Sequence, residues 1–251
     1  MGQGMQVGEA VGERPAKTIA VRRGAAGSRR KPSFILGNVL VDSGTRGAGF
    51  AYPFSTLRAD VGKGQEVVIR VVDVLGSVTV LLLAMPAMLA VTLLIKMFSP
   101  GPVLYKQRRV GRHGSLFTLY KFRTMINNAE EHTGPVWASR DDCRVTPIGR
   151  VLRQTRLDEL PQLFNVLRGD MSLVGPRPER PYFVQRHKAL QGARLAVRPG
   201  LTGLAQIRSF YNLRPEHKIK YDYLYIQRRS VFLNLYLLLQ TVPVVFGKKG
   251  W

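Results

Sequence analysis

The chain has 251 residues, 38 Lys+Arg against 16 Asp+Glu, a formal net charge of +22 and 45% hydrophobic residues. That hydrophobic share excludes a wholly disordered chain, and the lone Cys143 with four scattered histidines excludes an internal disulfide and a zinc finger or ribbon. A charge of this size calls for an anionic partner (nucleic acid, acidic lipid or a phosphorylated substrate), and its placement along the chain has to choose among them.

Residues 1–60 hold nine Lys/Arg and four Asp/Glu, so most of the positive charge lies in 61–251. The first sixty residues are rich in Gly, Ala, Ser and Arg, and 34–41 is too short for a signal-peptide core. They read as a largely disordered lead.

The next segment, 74–95, is 22 residues without a charge. A straight helix of that length reaches about 33 Å, enough to span a bilayer core. Pro86 near its middle removes a backbone donor and bends a helix. Both flanks are basic, with Arg70 before and Lys96, Lys106, Arg108 and Arg109 after, which pulls both ends to the cytoplasmic side. Arg70 and Asp73, one turn apart, are placed to pair near the interface. These features predict a re-entrant helix over 61–98 that enters, breaks at Pro86 and leaves on the same face. A simple span and a buried core helix are the alternatives; Pro86 and the basic flanks speak against the first and the uncharged length against the second.

Ser99-Pro100-Gly101-Pro102 stops that helix. Residues 103–110 then read as a strand, 111–114 as a turn and 115–122 as the partner strand. Lys121 and Arg123 are two apart, so on a strand they share a face and suit a diphosphate. Taken alone, a charged and solvated edge strand is the simpler explanation.

In 155–169, Pro161 belongs near the first turn of a helix, Leu160, Leu163, Phe164 and Leu167 make one buried stripe, and Gly169 suits the C-terminal cap. Asp158 and Glu159 then sit at the helix start, where the dipole keeps both ionised. Adjacent helical residues point about 100° apart, so one carboxylate can attack while the other holds a metal. Acidic capping is the ordinary alternative. Arg150, Arg153 and Arg156 precede the pair. Arg177 and Arg198 follow in two Pro/Gly-framed loops that look like phosphate clamps, or else like turns with solvated arginines.

Residues 218–229 interleave Lys/Arg with Tyr221, Tyr223 and Tyr225, a pattern open to nucleic acid or to lipid headgroups. Residues 230–246 carry no charge; at 17 residues they are short for a span and read as interfacial helices or as a packed C-terminal helix.

Ordered motifs over 66–247 resemble the bacterial sugar transferase family, the monotopic phosphoglycosyl transferases acting on polyprenyl phosphate. They are Ser99-Pro-Gly-Pro-Val-Leu-Tyr-Lys-Gln107, Lys121-Phe-Arg-Thr-Met125, Leu157-Asp-Glu-Leu-Pro-Gln-Leu-Phe-Asn-Val166, Gly169-Asp-Met-Ser-Leu-Val-Gly-Pro-Arg-Pro178, Arg198-Pro-Gly-Leu-Thr-Gly-Leu-Ala-Gln206 and Tyr221-Asp-Tyr-Leu-Tyr-Ile226. The resemblance implies transfer of a sugar 1-phosphate from a UDP-sugar to polyprenyl (undecaprenyl) phosphate, with release of UMP, at the start of exopolysaccharide or other surface-glycan assembly. It implies Asp158 as the nucleophile of an aspartyl-phosphosugar intermediate and Glu159 as its partner and Mg2+ ligand. Arg153, Arg177 and Arg198 match arginines that hold substrate phosphates, with Lys121 and Arg123 beside them. Pro86 takes the place of the proline that breaks the family's re-entrant helix.

The implied fold is α+β: a mostly helical catalytic domain over 99–251 with a small β-hairpin and interfacial amphipathic helices. The implied location is the cytoplasmic face of the bacterial inner membrane, with anionic lipids rather than nucleic acid as further partners and homodimerisation left open. Many members open the membrane element with Lys-Arg, where this chain has Ile69-Arg70. Large members add N-terminal spans and a nucleotide-binding-like domain, so this chain reads as closer to the minimal catalytic form.

Overall fold

The computed structural model describes two strands at 33–36 and 39–42, then residues 61–131, 134, 136, 142–208 and 215–246, without the side chains of 215–218 and 245–246. Strands β1 (Ser33–Leu36) and β2 (Val39–Asp42) pair antiparallel. This ribbon is an ordered element inside the expected disordered lead; the rest of 1–60 lies outside the described residues, as do Lys248, Lys249 and Trp251.

Helix α1 runs from Lys63 to Phe98 with Pro86 inside it. Helical backbone continues through Pro86: one missing donor removes one hydrogen bond, which bends a helix without ending it. Its inward positions fall on both sides of the proline, with Ile69, Asp73 and Ser77 before it and Val91 and Ile95 after it. Spacings of four and eight put each set on one face. Val91 and Ile95 pack with Phe122 and Leu152. The expected Arg70–Asp73 pair does not form. Arg70 donates instead to the Val166 and Leu167 carbonyls at 2.6 and 2.8 Å, and Asp73 accepts from Ser172 Oγ and Leu173 N at 2.9 and 2.8 Å. Those backbone groups lie at a helix end and a strand edge and need partners once buried. Much of the apolar stretch 74–95 faces outward, Leu83 being 79% exposed. Among the described residues α1 is the one helix long and apolar enough to cross a membrane, by length and composition.

Strands β3 (Leu104–Val110) and β4 (Leu116–Phe122) form the expected antiparallel hairpin, from Leu104 opposite Phe122 to Val110 opposite Leu116. The turn between them is tight: His113 and Gly114 both have positive φ. Helix α2 (Pro147–Gln154) starts under a Thr146 cap, whose hydroxyl accepts from Gly149 N at 3.0 Å, with Pro147 in the first turn.

Helix α3 (Gln162–Arg168) ends at Gly169, φ 93°, as expected. Its inward face is Gln162, Leu163, Asn165 and Val166, while Phe164 is 51% exposed. The predicted stripe through Phe164 is therefore turned by about one residue. Asn165 is the cause: its amide donates to Thr118 O at 2.7 Å and accepts from Tyr120 N at 3.2 Å, fastening α3 to β4.

Strands β5 (Ser172–Val174) and β6 (Gly200–Thr202) pair in parallel. Between them lies α4 (Pro181–Arg186); after them come α5 (Leu204–Arg208), α6 (Pro215–Arg228) and α7 (Val231–Phe246). One core of Phe117, Leu163, Val166, Val174, Tyr225 and Leu237 joins β4, α3, β5, α6 and α7. The class is α+β and mostly helical, as expected. Helix α7 is a single helix containing Pro243. It turns Asn234 and Leu237 inward and leaves Phe232, Leu235, Tyr236 and Leu239 exposed on a face of helical spacing.

Candidate active site

The chain leaves α2 and reverses at Arg156, a non-glycine residue in the left-handed region (φ 59°, ψ 10°). That conformation costs about 1–2 kcal/mol and is kept where surrounding structure enforces it. A 3-10 turn, Leu157–Glu159, follows and carries both acids, with Glu159 N bonded to Arg156 O at 3.1 Å. The acidic pair thus sits one turn ahead of α3, and Pro161 is that helix's N-cap rather than part of its first turn. Both acids are buried.

Their surroundings differ. Glu159 accepts from Lys121 Nζ at 3.0 Å and from both terminal nitrogens of Arg177, with Arg156 at 4.0 Å. Burial opposes its charge, but Arg177 and Lys121 outweigh that and hold the carboxyl well below the usual carboxylate range. Among the described residues, none donates a hydrogen bond to the Asp158 carboxylate. Burial pushes Asp158 up to about 6; Lys121 pulls against this, and the charge of Glu159 adds to it. The expectation that a helix dipole keeps both acids ionised gives way to an unequal pair, one held charged by cations and one raised by burial.

The other predicted residues separate. Lys121 is at the pair. Arg153 flanks it: its Nε donates to Thr124 Oγ1 at 2.8 Å, and its charge acts on Asp158. Arg177 clamps Glu159. Arg123 is not brought to the pair; its terminal nitrogens donate to Pro100 O and Ser99 O at 2.8 and 2.7 Å, strapping down the loop after α1. Strand β4 ends at Phe122, so the alternation that would put Arg123 on the Lys121 face stops one residue early. Arg198 is not brought there either. It lies 4.0 Å from Glu66 at the head of α1, beside Arg112 at 3.8 Å and Arg229, which takes both Glu66 oxygens at 2.8 and 2.9 Å. Pro86 stays within α1, in the apolar stretch.

Sequence reasoning missed the residues that brace the Arg177 loop. Arg109 donates to Pro178 O at 2.8 Å, and Arg194 donates to Arg177 O while its Nε meets Asp222 at 2.7 Å. Acidic residues are scarce in this chain, and an isolated Asp222 among tyrosines was the available signal.

Among the described residues no three or more His, Cys, Asp or Glu side chains converge as a metal cage. The donor set at 158–159 is a carboxylate pair. Such a pair fits Mg2+, which takes one or two carboxylates and fills its other positions with water and substrate phosphate. Glu159 Oε2 accepts from Arg177 Nη1 at 3.2 Å.

A family model described as bacterial sugar transferase matches residues 64–248. The UDP-N-acetylgalactosamine-undecaprenyl-phosphate N-acetylgalactosaminephosphotransferase of Aeromonas hydrophila is 43% identical over 187 residues, 72% of this chain and 44% of that protein. The UDP-glucose:undecaprenyl-phosphate glucose-1-phosphate transferase of Caulobacter vibrioides is 43% identical over 182 residues, 69% of this chain and 68% of that protein. The exopolysaccharide production protein ExoY of Rhizobium meliloti is 37% identical over 195 residues, 72% of this chain and 86% of that protein. The chain therefore spans less than half of the Aeromonas relative and most of the other two. The matched stretch takes in α1, the hairpin, the acidic pair and the Arg177 loop, and the chain belongs to the bacterial sugar transferase family.

Proposed function

We propose that the chain transfers a sugar 1-phosphate from a UDP-sugar to undecaprenyl phosphate, releasing UMP, at the first step of exopolysaccharide or other surface-glycan assembly. The observation that carries this is a buried Asp158 carboxylate that takes no hydrogen bond from the described residues, set beside a Glu159 ringed by cations. An Asp158 oxygen attacks the sugar-bearing phosphorus of the donor, and the bond from that phosphorus to the bridging oxygen breaks. UMP leaves with the oxygen, and an aspartyl phosphosugar ester remains. An oxygen of the lipid phosphate then attacks the same phosphorus; the aspartyl bond breaks, and the carboxylate returns. Splitting one transfer between two bulky anions into two steps lowers each barrier. Lys121, Arg153 and Arg177 supply the positive charge that lets a carboxylate approach a diphosphate. Magnesium held by Glu159, when bound, adds charge neutralisation on the diphosphate.

The relatives' names include N-acetylgalactosamine and glucose donors, so the donor is tested as a panel. Purified protein in detergent with Mg2+, undecaprenyl phosphate and each UDP-sugar is expected to release UMP with one of them and to yield an organic-extractable lipid-linked sugar. Free sugar phosphate instead of lipid product would show a hydrolase. Steep salt-dependent binding of DNA or RNA without turnover would favour a nucleic-acid partner.

The acidic limb of the rate profile is a second test. The Asp158 pKa is raised, so its attacking form is lost as pH falls through about 6. UMP release should rise with pH through a midpoint near 6; a midpoint near 4 would mean that burial does not govern the nucleophile.

The outward apolar faces of α1 and α7 support attachment to the cytoplasmic face of the inner membrane, beside anionic lipids. Inward residues on both sides of Pro86 pack on one domain, which supports re-entry over spanning. With Cys143 replaced by Ser, Gly64→Cys and Met97→Cys should both label from the cytoplasmic side. Labelling from opposite faces would reject re-entry.

A further inference from the structure

The loop that carries Arg177 is pinned carbonyl by carbonyl. Val174 O accepts from Tyr225 OH at 3.0 Å, Pro176 O from Gly200 N at 2.9 Å, Pro178 O from Arg109 Nη1 at 2.8 Å and Glu179 O from Val110 N at 2.9 Å. The carbonyl of Arg177 itself also has a donor, Arg194 Nη2. Arg194 is a fork with a fixed handle. Its Nε is bound to Asp222 Oδ2 at 2.7 Å, both side chains are 4% exposed, and Glu179 lies 4.0 Å from its other end. Asp222 and Tyr225 are three apart on α6, so one helix face supports both ends of the segment 174–177.

We infer that Arg194 and Asp222 are positioning residues: they fix the backbone of Arg177 so that its guanidinium meets both oxygens of Glu159. The planar guanidinium of Arg194 matters because its nitrogens point in set directions. One edge is taken by the Asp222 carboxylate, and the other is thereby aimed at the carbonyl of the residue that clamps the active-site acid. Asn at 222 keeps the shape and one acceptor oxygen but removes the charge that orients Arg194. Lys at 194 keeps the charge for Asp222 but loses the second arm. In either variant the Arg177 backbone gains freedom while the other four carbonyl pins remain.

The kinetic arm of the test rests on the transfer reaction proposed above; the labelling arm does not. The full chain is treated with phenylglyoxal, and modification of Arg177 is followed by peptide mass spectrometry, with exposed Arg168 as the internal reference. Asp222→Asn and Arg194→Lys should each raise the Arg177 rate about tenfold, the size of an ordinary coupling between touching groups, with Arg168 unchanged. Equal Arg177 rates in a folded variant and the wild type would overturn the inference. Using both variants guards against one that does not fold. In the kinetic arm, Asp222→Asn should cut UMP release about 10- to 100-fold. In an Arg177→Ala background the same change should cost less than about twofold. A merely structural role would lower the active fraction equally in both backgrounds, so full additivity with Arg177→Ala would also overturn the inference. If wild-type protein releases no UMP, the transfer reading falls, while the labelling arm still decides the positioning.

Discussion

Asp158→Asn is expected to lower UMP release by roughly 10^4-fold or more, as losses of covalent nucleophiles do. Asn has nearly the same volume, but its amide nitrogen does not form the phosphate ester and its oxygen carries no charge. The fold should survive the change. The carboxylate takes no hydrogen bond from the described residues, so no partner is orphaned by removing it. Burial also disfavours its ionised form, as the pKa of about 6 records. The variant's melting temperature should therefore be no lower than that of the wild type at pH 8. Thermal denaturation beside the UMP assay checks both halves. Turnover near the wild-type rate would remove Asp158 from the nucleophile's role, and a large fall in melting temperature would make the lost rate uninformative about chemistry.

Gly200→Ala should be a strongly damaging single methyl group beside the Arg177 loop. The backbones of Gly175, Gly200 and Gly203 meet where the Arg177 loop crosses β6. A Cβ on Gly200 would lie 2.0 Å from Gly175 N and 2.5 Å from Thr202 O, and both obstacles are backbone atoms. Overpacking of this kind costs about 3 kcal/mol, which for a chain of this size is roughly 6–12 °C in melting temperature. The same displacement would carry residues 175–177 away from Glu159. UMP release should fall about 100-fold even at temperatures where the variant is folded. A melting temperature within about 2 °C of the wild type, with full activity, would show that the two loops separate freely. Gly64→Ala, a position with open space around it, is the matched change expected to have no such effect.

The hairpin was legible within a residue because Pro100 to Pro102 mark its start and Gly111 to Gly114 its turn. The cap at Gly169 and the meeting of Arg177 with the acidic pair at 158–159 were legible too, since acids are rare here and prolines mark the loops. What escaped was decided by partners far away in the chain. Arg198 and Arg123 have the look of phosphate ligands, yet one answers Glu66 from across the chain and the other answers carbonyls 23 and 24 residues earlier. Asn165 reads as a polar interruption in an apolar stripe; it is spent on the backbone of β4, and that rotates α3 and turns Phe164 outward. The inequality of the two acids was hidden for a similar reason. Neighbouring letters carry the same charge, while burial and the reach of Lys121 and Arg177 separate their environments.

A single-turnover experiment tests the central claim most directly: enzyme at stoichiometric concentration is mixed with Mg2+ and the active UDP-sugar, with no lipid acceptor. A burst of UMP close to one equivalent per active site is expected. The peptide containing Asp158 should carry the mass of a sugar phosphate, and that label should be discharged on addition of undecaprenyl phosphate. Absence of UMP until the acceptor is added, with an unmodified Asp158 peptide throughout, would contradict a covalent aspartyl intermediate and point to direct attack by the lipid phosphate.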